Sequence, residues 1–157
     1  MWGMRYFLLM LAVVMGQSVL AADKKPLTKE ESAKVIEEAI RKATGKPTGE
    51  LTQADLEKLT HLVLKGNKLT SVEGLEKLTQ LKELHLFNNQ LTEVKRLKNL
   101  TQLTMLTLPD NQLTDVKGLE NLTQLRTLNL NNNPALTKAQ IDELKKALPK
   151  CRIFHDF

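Results

Sequence analysis

The sequence predicts an α/β solenoid. Within its 157 residues a unit recurs with a period of 22 from Leu59 onward, each copy alternates leucine with polar residues as a strand does, and an asparagine recurs at one fixed place. Leu59, Leu81, Leu103 and Leu125 open successive copies of L-x-x-L-x-L-x-x-N-x-L-T, reading "LTHLVLKGNKLT", "LKELHLFNNQLT", "LTMLTLPDNQLT" and "LRTLNLNNNPALT". Three of them continue as "SVEGLEKLTQ", "EVKRLKNLTQ" and "DVKGLENLTQ". So short a unit cannot close a core of its own and must bury its apolar side against its neighbours.

The elements follow in order. Residues 1–21 read as an export signal. Arg5 gives a short positive region, Phe7 to Met15 an apolar run, and Val19-Leu20-Ala21 the approach to cleavage, expected after Ala21 or Ala22. The run is shorter than the roughly 20 residues a bilayer span needs. No second apolar stretch follows it, so no membrane insertion is expected after its removal. No cysteine adjoins the run, which argues against a bacterial lipid anchor.

Residues 22–50 form an expected N-terminal helical cap and linker. Thr28 with Glu31 makes a capping box, and Val35, Ile36, Ala39 and Ile40 form one stripe up to about Ala43. "TGKPTG" (Thr44 to Gly49) reads as a flexible turn. Repeats occupy residues 51–136, opening with "LTQADLEKLTHL" as a degenerate half-repeat. Residues 137–157 form an expected C-terminal cap helix and terminal strand. Thr137 and Gln140 box the helix start, Ile141, Leu144 and Ala147 share a face, and Pro149 ends it. "NNNPALT" carries one extra residue, which sets the last unit to begin at Leu148, with Cys151 and Ile153 in leucine positions as buried hydrophobes.

Within a copy, Leu81, Leu84, Leu86, Leu91, Val94, Leu97 and Leu100 point inward, each contributing about 1.5–3 kcal/mol if fully buried. Asn67, Asn89, Asn111 and Asn133 form a column at the turn. A carboxamide has two donors and an acceptor, so each is expected to bond its own turn and that of the next coil. Asn133, beside the irregular turn, is expected to matter least.

The copies resemble the leucine-rich repeat family, in the 22-residue form of bacterial internalin-like proteins, over roughly residues 51–157. The resemblance implies a curved parallel sheet on the concave side, 3₁₀ or extended segments on the convex side, and protein–protein interaction as a general function.

Other function classes find little support. The net charge is +5 with lysine and glutamate interleaved, so no nucleic-acid surface is indicated. Aromatics are only 4%, which leaves leucine to build the core. A single cysteine excludes an internal disulfide framework. Beyond the signal the serines are Ser32 in the cap helix and Ser71 on the convex arc, away from His61 and His85, so no catalytic constellation assembles. His61 and His85 are diagonal neighbours on adjacent strands with Glu83 as third candidate ligand, yet solvated histidines are the favoured reading, with no metal and no cofactor. "NLT" at Asn99 and Asn121 is explained by the repeat and not by glycosylation.

What remains is the outward face. The third, fifth and seventh positions give His61, Val63 and Lys65, then Glu83, His85 and Phe87, then Met105, Thr107 and Pro109, then Thr127, Asn129 and Asn131, then Lys150, Arg152 and Phe154. Phe87, Met105, Pro109 and Val63 are expected to form an exposed apolar patch edged by His85, Glu83 and Lys65. The expectation is a secreted or periplasmic monomer that binds a protein here. A carbohydrate- or peptidoglycan-binding role, against which sparse aromatics count, and a structural envelope role are the alternatives.

Overall fold

The computed structural model describes residues 25–157, and the expected export signal lies outside them. Helix α1 spans Lys29–Thr44. Its start is closed by the expected box: Thr28 Oγ1 accepts the Glu31 N–H at 3.1 Å, and Glu31 Oε2 accepts the Thr28 N–H at 2.8 Å. Ile36 and Ile40 turn into the leucine core. Ser32 is buried as well, and chemistry fixes its role. Thr70 spends its hydroxyl proton on the Leu27 carbonyl at 2.7 Å, so Ser32 Oγ donates to Thr70 Oγ1 while accepting the Thr70 N–H at 3.2 Å.

The turn after α1 is tied down, not free. Gly45 ends the helix at φ 67, and the Arg41 guanidinium bonds the Gly49 carbonyl at 2.8 Å. "LTQADLEKLTHL" then forms a short helix, α2 (Gln53–Glu57), after which the Leu59 N–H bonds the Leu56 carbonyl as the Leu81 N–H bonds Leu78 one repeat later. Thr52 and Asp55 box its start, and Lys46 Nζ sits 2.7 Å from Asp55 Oδ2. That lysine is the first reason, and Thr52 the second, that the Asp55 carboxyl titrates far below its ordinary value.

Strands β1 (His61–Val63), β2 (Glu83–His85), β3 (Met105–Thr107), β4 (Thr127–Asn129) and β5 (Arg152–Phe154) form one parallel sheet in chain order. Their central residues Leu62, Leu84, Leu106, Leu128 and Ile153 pair across the sheet. The leucines among them are buried and Ile153 packs partly buried beside them. One face of the sheet meets the core, and the other is open.

Between strands the chain returns through 3₁₀ turns at Leu75–Lys77, Lys95–Asn99 and Leu119–Asn121. Gly74 and Gly118 enter two of them at φ 98 and φ 96, a region that suits glycine. The middle coil has Arg96 in that column. There the 3₁₀ segment starts earlier, at Lys95, and takes in the arginine.

The asparagine ladder forms, with its direction reversed from expectation. Asn89 Nδ2 donates to Leu86 O of its own coil at 2.9 Å and to Leu64 O of the preceding coil at 2.7 Å. Its Oδ1 accepts the N–H groups of Asn67 at 3.0 Å and Leu69 at 3.1 Å, again in the preceding coil. Asn111 and Asn133 repeat the donations one and two coils later, and accept the N–H of Leu91 and of Leu113 at 3.1 Å each. Asn133 makes the same set of bonds as Asn111 despite the irregular turn beside it. Asn67 is half-buried, whereas the other three are buried. The residue before each adopts the left-handed region: Gly66, Asn88, Asp110 and Asn132, with φ of 66, 57, 56 and 55. Short polar side chains tolerate that region best, which explains the doubled asparagine of "FNNQ".

Helix α3 (Lys138–Ala147) opens on the expected box of Thr137 and Gln140 and buries Ile141 and Leu144. Beyond it the register of the last strand differs from expectation. Ile153 pairs with Leu128, so it takes the fourth position of its coil, while Cys151 precedes the strand and is half-buried. The helical return path consumes two more residues than the leucine spacing suggests. Two is the strand's own period, so Arg152 and Phe154 keep their outward face, while Lys150 falls outside the strand. Partial burial pushes the Cys151 thiol up to about 11, which disfavours the thiolate form at neutral pH.

Candidate protein-binding face

The open face of the sheet is a grid, because alternation sends the third and fifth positions of every coil away from the leucines. The first row across the strands is His61, Glu83, Met105, Thr127 and Arg152, and the second is Val63, His85, Thr107, Asn129 and Phe154. The third lies just past the strand ends. There Phe87 and Pro109 accept backbone N–H groups from Gly66 at 3.1 Å and Asn88 at 3.0 Å. Pro109 fits because its carbonyl, which it keeps, is what this place uses.

The grid breaks up the expected apolar patch. Val63 lies beside His85 and Met105 beside Glu83, so polar residues separate them. Phe87, Met105 and Pro109 are half-buried, not exposed. The Lys65 ammonium sits 5.1 Å above the Phe87 ring and covers it further. The large apolar side chains this face does expose are Val63, at 60%, and Phe154, at 36%. The Arg152 guanidinium lies 4.7 Å from the Phe154 ring.

Glu83 is the centre of a polar cluster. His61 Nε2 stands 3.3 Å from Glu83 Oε1, and His85 Nε2 stands 4.0 Å from Oε2. Each imidazole is held from its other side: Thr60 Oγ1 is 2.8 Å from His61 Nδ1, and Thr107 Oγ1 is 2.8 Å from His85 Nδ1. The hydroxyls hold the rings, and the carboxylate lies between the two imidazoles. Thr60 was not among the residues singled out from the sequence, since it occupies the second position of its coil. Asp156 was also missed. It follows β5 at the seventh position of the corrected register, and its Oδ2 accepts the Asn132 N–H at 2.6 Å.

The two serines of the described residues lie away from this grid. Ser32 is enclosed in α1, and Ser71 Oγ accepts the Glu73 N–H at 3.1 Å on the return side. Among the described residues no group of three or more His, Cys, Asp or Glu is arranged to hold a metal ion, and no helix is long and apolar enough to cross a membrane.

The leucine-rich repeat family model, in its two-copy form, matches residues 57–99 and 101–146. Among solved structures, an internalin (inlF) from Listeria monocytogenes superposes with a TM-score of 0.67 at 36% identity, over 76% of this chain and 35% of that one. Internalin C2 from the same species gives a TM-score of 0.69 at 32% identity, over 76% of this chain and 52% of that one. The chain thus spans about a third and about half of the length of these two relatives. No curated protein is matched. Period, ladder, parallel sheet and these likenesses converge, and the chain belongs to the leucine-rich repeat family as a bacterial internalin-like protein.

Proposed function

We propose that this protein is an exported, non-catalytic module that recognises a protein partner through the concave face of its sheet. One observation carries the reading. The core is built from inward-facing residues, yet the outward grid holds a Thr60–His61–Glu83 and His85–Thr107 cluster next to an exposed Val63. Exposed apolar side chains beside fixed polar groups are the make-up of a recognition surface. Export rests on the pattern of residues 1–21, and is tested by fractionation and by sequencing the mature N-terminus, expected at Ala22 or Asp23.

Binding is tested by capture from envelope extract and on a glycan array. Val63→Asp is the face variant and Glu93→Ala, on the convex side, the control. The reading expects a protein captured by wild type and by Glu93→Ala, and lost with Val63→Asp while the fold persists. Glycan capture in its place supports the carbohydrate reading. Capture indifferent to Val63→Asp moves the site off this face.

A further inference from the structure

The open face carries a carboxylate, Glu83, and a guanidinium, Arg152, in the same row. Glu83 lies between His61, whose Nε2 is 3.3 Å from one carboxylate oxygen, and His85, whose Nε2 is 4.0 Å from the other. Arg152 lies against Phe154, and a guanidinium so placed keeps its in-plane donors for a carboxylate. Between them in the row stand only Met105 and Thr127, both half-buried and uncharged. From β2 to β5 is three strand steps of about 4.8 Å, or about 14 Å, which equals four residues of extended chain at about 3.4 Å each. In such a chain residues i, i+2 and i+4 face the same way.

We infer that the concave face takes an extended segment of a partner protein, laid across the strands. A basic side chain seats on Glu83, a small or apolar one two residues on seats over Met105 and Thr127, and an acidic one four residues on seats on Arg152. This rests on the concave-face reading and adds to it the partner's chemistry and spacing. A helical partner is a different geometry. At about 1.5 Å per residue it would need its charges about nine residues apart.

The test is selection of random decapeptides displayed on phage against the wild-type protein at neutral pH. The expected peptides carry Lys or Arg four positions from Asp or Glu, always in one order along the chain. Glu83→Lys and Arg152→Glu should each weaken a selected peptide by about tenfold or more, with Glu93→Ala neutral. The double reversal Glu83→Lys/Arg152→Glu should select the opposite order. Circular dichroism on each variant separates lost binding from lost fold. Peptides that need Val63 but lack the charge pair, or that space it about nine residues apart, overturn this inference and leave the concave-face reading standing. No enrichment at all overturns it too, and the capture experiment then decides the broader reading by itself.

Discussion

At the scale of single residues the asparagine ladder is the strongest commitment of this chain. Each of Asn89, Asn111 and Asn133 closes buried backbone groups in two coils at once. Truncation leaves those groups without partners in a site closed to water, at about 1–3 kcal/mol for each unsatisfied group. Alanine at Asn89 or Asn111 should therefore destabilise by a few kcal/mol in urea unfolding. Asn133→Ala should cost as much as Asn111→Ala. The local sequence suggests a smaller loss there, but the bonds are the same. An Asn133→Ala midpoint close to wild type would remove the ladder from the last turn. Asp55 carries the clearest acid dependence. Its carboxyl is held below its ordinary value of 3.8, first by Lys46 and then by Thr52. A depressed carboxylate contributes stability that is complete above its unfolded value and fades as the pH falls below it toward the lower folded value. The gap in urea midpoint between wild type and Asp55→Asn should be widest near pH 7 and should shrink progressively below about pH 4. A gap unchanged with pH would mean that the Lys46 contact does not form.

At the scale of elements the return turns show how one column of residues selects local geometry. A Cβ on Gly118 would meet the Lys95 carbonyl oxygen at 3.0 Å and the Lys95 Cα at 3.2 Å, at φ 96. Backbone cannot swing aside as a side chain can. Gly118→Ala should therefore lower stability by at least about 1 kcal/mol, the cost of the unfavourable region alone. The same change at Gly74 meets only the Ile36 side chain, at 3.5 Å, and should cost less. Equal thermal shifts for the two would show that φ alone sets the penalty. Helix α3 teaches the complementary point. Its capping box and apolar stripe are written locally and appear where the sequence puts them. The length of its return path is not written locally, and the strand after it pairs two residues out of the expected register.

At the scale of the whole molecule, core and face separate cleanly. Ile36 is fully buried on α1 and covers the first coil beside Gly74. Ile36→Ala should cost about 2–5 kcal/mol, as large-to-small changes in a packed core do. The pair Phe87→Ala/Met105→Ala, on half-buried face positions, should cost much less in unfolding. The measurement is denaturant unfolding of both variants. A larger loss from the face pair than from Ile36→Ala would mean that the grid supports the fold and is not spare surface for recognition.

The sequence alone determined the period, the leucines that turn inward, the helix starts and the outward membership of positions such as Glu83, His85, Arg152 and Phe154. Each of these follows from chain-local physics: a period of two for strands, a carboxyl or amide three residues after a hydroxyl, a turn that needs hydrogen bonds. Tertiary structure decided what those rules leave open. It set the coil to which each asparagine reaches back, the pairing of Ile153 with Leu128, the separation of Val63 from Met105 by Glu83 and His85, and the half-burial of Phe87 beneath Lys65. All four depend on which residues of neighbouring coils stand side by side. That register is fixed by the length of the return path and by packing between coils, and no single repeat encodes either.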